Sequence, residues 1–263
     1  MFAVDRRLLA KMAPVLRRVL IVDPNPHAAR LLTEIIKGMG AGEIVVAPNE
    51  PRAMAVAGEL EPGIVFTERN GDKLNGESLA RALRRSSLNC RRAPIIMVTA
   101  DATASTIIGA RDSGIHEFLR KPFTSADLLK RVENVALKPR DWVEAVGYVG
   151  PDRRRFNSGE FSGEGKRRAD RPATGAAARM RMAWSFAAAL DQFDSDPMQA
   201  VRSIREQAST LKSLAMKASD SRLAVAVGAL EVTLASGPPC KATLAAPIGS
   251  LLAMAPPALK KAG

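Results

Sequence analysis

Three charged side chains in the first half of the chain each follow a short apolar run. Asp23, Glu68 and Lys121 occupy these positions, and Thr99 closes a fourth run of the same kind. Because sites in doubly wound folds form at the carboxyl ends of the strands, we expect the four side chains to lie together. The sequence therefore predicts an acidic cluster that faces a hydroxyl and an ammonium group, in which a carboxylate can pair directly with Lys121.

The elements that would position this cluster follow from the hydrophobic pattern of residues 17–147. Five short apolar runs read as buried strands, at 19–22, 43–47, 64–67, 95–99 and 116–120. A helical pattern follows each run, with later helices expected at 50–60, 76–85, 102–113 and 124–137. Five consecutive βα units predict an α/β fold with a doubly wound, five-stranded parallel sheet.

The motifs around the cluster resemble the response-regulator receiver family. The resemblance rests on Val-Leu-Ile-Val-Asp-Pro-Asn at 19–25, the Thr99-Ala100 pair and Lys121-Pro122-Phe123. It covers about residues 17–147 and implies a flavodoxin-like receiver fold. The family's active-site positions are filled here by Asp23 (first acid), Pro24 (second acid), Glu68 (phosphoacceptor), Asn70 (carbonyl ligand), Thr99 (switch hydroxyl), Phe118 (switch aromatic) and Lys121 (lysine).

Two of these positions depart from the family's pattern. Receiver phosphorylation needs Mg²⁺, which is held by carboxylates and phosphate oxygens. Pro24 has no side chain that can ligand a metal. Glu68 is one methylene longer than aspartate, so its carboxylate would occupy the space of a phosphoryl group. The resemblance therefore implies a pseudo-receiver that is not an enzyme and that uses neither a metal nor a cofactor.

The role of Glu68 has two interpretations at this point. Its carboxylate can mimic a phosphorylated aspartate and bias the switch residues, Thr99 and Phe118, toward their active arrangement. Alternatively, Glu68 and Lys121 form only a structural ion pair, since a perturbed ion pair need not be functional.

The C-terminal part, residues 176–255, shows only helical patterns and predicts an all-α hairpin or bundle. Asp196-Pro197 is a typical helix start. Residues 205–213 resemble the signature helix of histidine phosphotransfer domains, with Ser209 at the histidine position and Lys212 at the lysine position. Because a serine hydroxyl cannot carry a phosphoramidate, this resemblance implies a degenerate phosphotransfer site. The alternative is an ordinary amphipathic hairpin.

Residues 148–175 are rich in glycine, arginine and proline, which predicts a flexible linker. Guanidinium groups match phosphates, and similar arginine-rich tails on some bacterial receivers bind cyclic di-GMP. The candidate nucleotide ligands are Arg153, Arg154, Arg155, Arg167 and Arg168. A solvated linker is the alternative. Few aromatic residues and no nucleic-acid-binding signature argue against DNA binding.

The rest of the sequence limits the class of protein. No apolar run reaches the roughly 20 residues that span a bilayer. Residues 1–16 predict an extension that can form a helix and show no cleavable signal, and residues 256–263 form a short tail. The two cysteines are far apart, which argues against a disulfide framework or a zinc site. We expect a cytoplasmic location.

Together these patterns predict a non-enzymatic, atypical response regulator of bacterial two-component signalling. It would act by protein contact with a histidine kinase, a phosphotransfer protein or another response regulator. The expected contact face, which is also a candidate homodimer face, is formed by the fourth helix, fifth strand and fifth helix of the receiver-like part. The alternative prediction is a cyclic di-GMP effector that uses the arginine segment.

Overall fold

The computed structural model describes residues 6–153 and 185–254. The described residues form two compact units, the first containing 6–143 and 148–153, the second containing 144–147 and 185–254. Within these residues, no helix is both long and apolar enough to cross a membrane.

The first unit alternates strands and helices. Its elements are α1 (Arg6–Leu16), β1 (Arg18–Val22), α2 (Pro26–Gly38), β2 (Glu43–Ala47), α3 (Glu50–Leu60), β3 (Ile64–Thr67), β4 (Asn70–Gly71), β5 (Leu74–Asn75), α4 (Gly76–Arg85), β6 (Ile95–Thr99), α5 (Ala104–Asp112), β7 (Glu117–Arg120) and α6 (Ser125–Leu137). Five of the strands form a parallel sheet in the order β2-β1-β3-β6-β7. The predicted doubly wound sheet is confirmed.

Both faces of the central strands β1, β3 and β6 are buried, and side chains alternate between the two faces along each strand. In β1, Leu20 and Val22 pack into the core shared with α3, α4 and α5. Val19 and Ile21 pack into the opposite core, which is shared with α1, α2 and α6. Burial on both sides explains why the strands read as continuous apolar runs in the sequence.

The helix α1 precedes the sheet and packs against α6. Its buried residues, Met12 and Leu16, belong to the same core as Leu128 and Val132 of α6. The N-terminal extension therefore contributes to the core of the first unit.

A hairpin of β8 (Trp142–Ala145) and β9 (Tyr148–Pro151) follows α6. We expected a flexible linker from residue 148 onward, but Tyr148 and Val149 are buried. The Tyr148 hydroxyl donates to the Pro151 carbonyl at 2.6 Å. Burial of Tyr148 and Val149 and this hydrogen bond keep residues 148–151 ordered, although their glycine and proline content suggested a linker.

The described part of the second unit is helical, as predicted. It contains residues 185–192 (α7), α8 (Pro197–Lys217), α9 (Ser221–Ala235) and α10 (Lys241–Ala253). Asp196 caps α8 through its Oδ1, which accepts from the Gln199 N–H at 3.0 Å. Its core is aliphatic, with Ile204 and Leu211 of α8 packed in one cluster with Val227 and Leu230 of α9.

Candidate functional site

The carboxyl ends of β1, β3 and β7 bring three of the predicted side chains into direct contact. The Lys121 Nζ donates to Glu68 Oε2 at 2.6 Å and to Asp23 Oδ2 at 3.1 Å. The exposed fraction is 8% for Asp23, 14% for Glu68 and 26% for the Lys121 side chain. One ammonium group thus bridges two largely buried carboxylates.

Strand register places these residues together. In the sheet, Val22 of β1 is paired with Thr67 of β3, so the residues that follow each strand lie side by side. The Glu68 N–H donates to the Val22 carbonyl at 2.8 Å, and the Lys121 N–H donates to the Thr99 carbonyl at 2.8 Å. These backbone hydrogen bonds therefore fix the positions of the Cα atoms of Glu68 and Lys121 at the end of the sheet.

The two remaining carboxylate oxygens are also hydrogen-bonded. Asp23 Oδ1 accepts from the Asn25 N–H at 2.8 Å, and Glu68 Oε1 accepts from the Arg69 N–H at 2.7 Å. Each of the four carboxylate oxygens thus accepts at least one hydrogen bond.

The charge of Lys121 is stabilised by the same contacts. Burial alone would lower the pKa of Lys121, because it removes water from the ammonium group. The hydrogen bond that Lys121 donates to Glu68, together with the charges of Glu68 and Asp23, outweighs burial, so the pKa of Lys121 is raised above 10.5. The bridge therefore holds a charged ammonium throughout the neutral pH range.

Pro24 occupies the position beside Asp23 with an apolar ring. A Cβ built on Gly71 would lie only 2.2 Å from Pro24 Cγ, so the ring packs directly against the β4–β5 hairpin. Asn70, on the same hairpin, is exposed. At the position of the second acid, this site thus presents carbon atoms in place of oxygen donors.

The two predicted switch residues both lie inside the fold. Thr99 is 4% exposed, and its hydroxyl oxygen accepts from the Asp101 N–H at 3.3 Å. Phe118 is 5% exposed and packs in the core formed with α3, α4 and α5. The aromatic ring therefore points inward, away from solvent.

Comparison with known proteins agrees with this geometry. Residues 19–133 match the response regulator receiver domain family. These residues are a receiver domain. The match assigns these residues of the first unit to the receiver domains of two-component signalling.

Individual relatives match the receiver domain at low identity. DNA-binding response regulator MtrA of Mycolicibacterium smegmatis is 30% identical over 116 residues, which is 44% of this chain and 49% of MtrA. Chemotaxis protein CheY of Pseudomonas aeruginosa is 26% identical over 118 residues, which is 45% of this chain and 94% of CheY. The chain spans about half the length of MtrA.

Solved structures of response regulators are similar to part of the chain. A putative response regulator from Chloroflexus aurantiacus is 26% identical with a TM-score of 0.43, and the match covers 46% of this chain and 97% of that one. CheY4 of Vibrio cholerae is 23% identical with a TM-score of 0.43, covering 45% and 98%.

Arg69 is a residue of the receiver site that the sequence analysis missed. Its Nε donates to Glu77 Oε1 at 3.3 Å, and its Nη1 pairs with the Asp101 carboxylate. The sequence separations from Arg69 to these partners are 8 and 32 residues. The adjacent charges Glu68-Arg69 were the one local signal, and it does not reveal the distant partners.

The predicted phosphotransfer-like residues lie on α8, in the second unit. Ser209 is exposed, and Lys212 Nζ contacts Glu231 Oε2 of α9 at 2.6 Å. An open groove of about 330 Å³ lies beside them, lined by Arg205, Ala208, Glu231, Leu234 and Ala235. The structure thus brings Lys212 to an acidic residue of the next helix.

Arg153 is the only one of the five candidate nucleotide ligands that lies within the described residues. Its Nη1 contacts Asp112 Oδ1 at 3.1 Å, and its guanidinium lies 4.5 Å from the centre of the Tyr148 ring. Arg153 is thereby engaged within the receiver unit. The other four, Arg154, Arg155, Arg167 and Arg168, lie outside the described residues.

Proposed function

We propose that this protein is a non-enzymatic, atypical response regulator that acts through protein contacts without aspartyl phosphorylation. The observation that carries the proposal is the Lys121 bridge between Asp23 and Glu68. The bridge fixes both carboxylates of this acidic site on one ammonium group, where phosphorylation would require a metal and a reactive carboxylate.

The residues present do not fit a magnesium ion. Mg²⁺ demands near-octahedral oxygen ligands at about 2.0–2.1 Å. Both oxygens of Asp23 accept hydrogen bonds from N–H donors, and Pro24 supplies no oxygen where the family has its second acid. A metal would have to displace the ammonium group of Lys121, so we derive no step that uses one.

Phosphorylation of the wild-type chain is the direct test. The chain is incubated with acetyl phosphate and Mg²⁺, and intact-protein mass spectrometry measures any gain of one phosphoryl group. We expect no adduct on the wild type. A Pro24→Asp/Glu68→Asp double variant restores the family's acids and serves as the matched control. An adduct on the wild-type chain, mapped to Glu68, would overturn the proposal.

Contact with signalling partners is the second part of the proposal. The face formed by α5, β7 and α6 exposes Ile108, Arg120 and Lys130. We propose that this face binds a histidine kinase, a phosphotransfer protein or a response regulator, or a second copy of the chain. Affinity capture from the host with an Arg120→Glu/Lys130→Glu variant as control tests it. Recovery of the same partners by the variant would exclude this face.

We also propose that Glu68 mimics the phosphorylated state. The active arrangement of the switch residues requires an inward Phe118 ring, and the buried position of Phe118 supports this proposal. A Glu68→Gln variant keeps the size of the side chain and removes its charge. If Glu68 mimics a phosphoryl group, partner capture falls in this variant although the fold is retained. If Glu68 is only half of a structural pair, stability falls and capture by the folded fraction does not change.

The second unit is proposed to be a degenerate phosphotransfer-like module, because Ser209 is exposed on α8 and Lys212 lies one turn later. A Ser209→His variant tests this idea. Transfer of a phosphoryl group from a phosphorylated receiver domain to this histidine would support it. Absence of transfer would favour the ordinary helical hairpin.

Cyclic di-GMP binding remains the alternative function, and we place it second because Arg153 already contacts Asp112 and Tyr148. Calorimetry with cyclic di-GMP separates the two proposals. Binding to the wild type that is lost in Arg153→Ala and Arg154→Ala variants would favour the nucleotide effector. The match to MtrA covers about half of that protein, so its description as DNA-binding gives no reason to assign DNA binding here.

A further inference from the structure

Arg69 connects the acidic site to the loop that follows the switch threonine. Its backbone N–H binds Glu68 Oε1 at 2.7 Å. Its guanidinium contacts Glu77 at the start of α4 and Asp101 in the loop between β6 and α5. One residue therefore touches the acceptor position and two neighbouring elements.

Asp101 is also hydrogen-bonded to residues on either side of it, up to the start of α5. Its N–H donates to the Thr99 hydroxyl at 3.3 Å, and its Oδ1 accepts from the Thr103 N–H at 3.4 Å. Thr103 in turn caps α5, because its hydroxyl oxygen accepts from the Thr106 N–H at 3.2 Å. The loop 100–103 is thus fixed between Arg69 and the helix cap.

Glu77 reaches the same helix at a second point. A Cβ built on Gly109 of α5 would lie 2.8 Å from Glu77 Oε2, so the carboxylate of Glu77 packs directly on the helix backbone. Glu77 also contacts Arg81 at 3.5 Å. The helix α5 is therefore approached at its cap by Asp101 and in its middle by Glu77.

Arg69 and Glu77 are more buried than the partners of an ordinary surface ion pair. Exposed pairs add little to stability, because water and salt screen them. The side chains of Arg69 and Glu77 are 25% and 17% exposed, and that of Asp101, at the outer end of the network, is 44% exposed. A planar guanidinium can hold both carboxylates in one fixed geometry. Removal of Arg69 would leave the acids of two elements without their shared cation.

We propose that Arg69, Glu77 and Asp101 form a latch that holds the loop 100–103 and α5 in one position without a phosphoryl group. The latch rests on the proposed function, because a receiver domain that is not phosphorylated must hold this loop by its own side chains. The face that includes α5 is then presented to partners constitutively.

Hydrogen–deuterium exchange of the full chain, measured without any phosphodonor, tests the latch. An Arg69→Met variant removes the guanidinium and keeps the backbone N–H that binds Glu68. We expect amides of residues 101–112 to exchange about fivefold faster, in line with coupling between contacting charged residues. Asp101→Asn should give the same change, and the double variant should add nothing further.

An Arg81→Met variant is the matched control, since Arg81 contacts Glu77 but not Asp101 among the described residues. Equal exchange in Arg69→Met, Arg81→Met and the wild type would overturn the latch. Arg69→Lys, which keeps the charge but not the fork, should fall between wild type and Arg69→Met. A change of wild-type exchange on addition of acetyl phosphate and Mg²⁺ would instead overturn the proposed function, and the two failures are thereby distinguished.

Discussion

Two groups of buried charges in the receiver unit are built in opposite ways. In the first, Lys121 lies between the carboxylates of Asp23 and Glu68. In the second, Arg84 is completely buried and has no carboxylate partner among the described residues. In the first group carboxylates surround the cation, and in the second only neutral acceptors do.

Carbonyl oxygens and one histidine surround Arg84. Its Nε and Nη2 donate to the Gly114 carbonyl at 3.0 and 2.9 Å, and its Nη1 donates to the carbonyls of Arg91 and Ala93 at 2.6 and 2.8 Å. Nη2 also contacts His116 Nδ1 at 3.1 Å. The hydrogen bonds satisfy the guanidinium group, but they do not neutralise its charge.

This difference has electrostatic consequences. Burial, with no nearby carboxylate to offset it, lowers the pKa of Arg84 to about 9. At the first group, the two carboxylates raise the pKa of Lys121 despite its partial burial. Hydrogen bonds and a countercharge are therefore separate requirements of a buried cation, and this fold supplies only the hydrogen bonds at Arg84.

The largest expected effect comes from removing Arg84. Arg84→Met removes the donor from the carbonyls of Gly114, Arg91 and Ala93 and one of the two donors from His116 Nδ1. The free energy of unfolding should therefore fall by about 3 kcal/mol or more. Urea unfolding measures it. Arg85→Met, at the exposed neighbouring position, should change the free energy by less than about 1 kcal/mol. Similar losses in both variants would show that Arg84 is not held as described.

A smaller loss is expected at the Lys121 bridge. Lys121→Met leaves Asp23 and Glu68 side by side without a cation, and we expect a loss of about 1–3 kcal/mol at pH 7. Urea unfolding of the variant and the wild type checks this. Glu68→Gln, which leaves Lys121 paired with Asp23, should cost less.

The two groups also differ in how far sequence could predict them. The strands at 43–47, 64–67 and 95–99 and the helix at 76–85 were predicted with the bounds that the structure has, because apolar runs and helical spacing are local signals. Asp23, Glu68 and Lys121 could be placed together because they end parallel strands.

Arg84 could not be placed from the sequence. Its acceptors are backbone carbonyls and a histidine, none of which stands out by residue type, and Gly114 is 30 residues away. The hairpin β8–β9 was missed for a related reason: glycine and proline at its end suggested a linker. Partners that are distant in sequence, as for Arg69 and Asp101, become visible only in the fold.

The cation–π contact between Arg84 and Trp142 gives a third, smaller expected effect. The Trp142 ring lies 5.3 Å from Arg84 Cζ, and cation–π contacts contribute about 0.5–2 kcal/mol. Trp142→Leu should therefore lower the free energy of unfolding by about 1–2 kcal/mol, and Trp142→Phe, which keeps an aromatic face, by less. Thermal unfolding of the three proteins checks the order. Equal losses would mean that packing area, and not the ring's charge distribution, stabilises Arg84.

The smallest expected effect is a pH dependence that only the second group causes. His116 Nδ1 accepts from Arg84 Nη2 and from the Ile95 N–H at 3.3 Å, which assigns the ring proton to Nε2. Burial, followed by the charges of Arg84 and Arg140, lowers the pKa of His116 well below 6.5. Below pH 6.5 the unfolded chain therefore binds a proton that the folded chain does not.

The sign of the effect follows from this difference. Stability from neutral His116 is fully present above pH 6.5 and is lost as the pH falls, by at most about 1.4 kcal/mol per pH unit. The raised pKa of Lys121 affects stability only at alkaline pH, because the stability that the charged ammonium contributes is lost only as the pH rises above 10.5. Urea unfolding between pH 7.5 and 5 should show the acid slope in the wild type and in a His27→Gln control, whose histidine is exposed. His116→Gln should flatten the slope, and an unchanged slope would place the acid-sensitive group elsewhere.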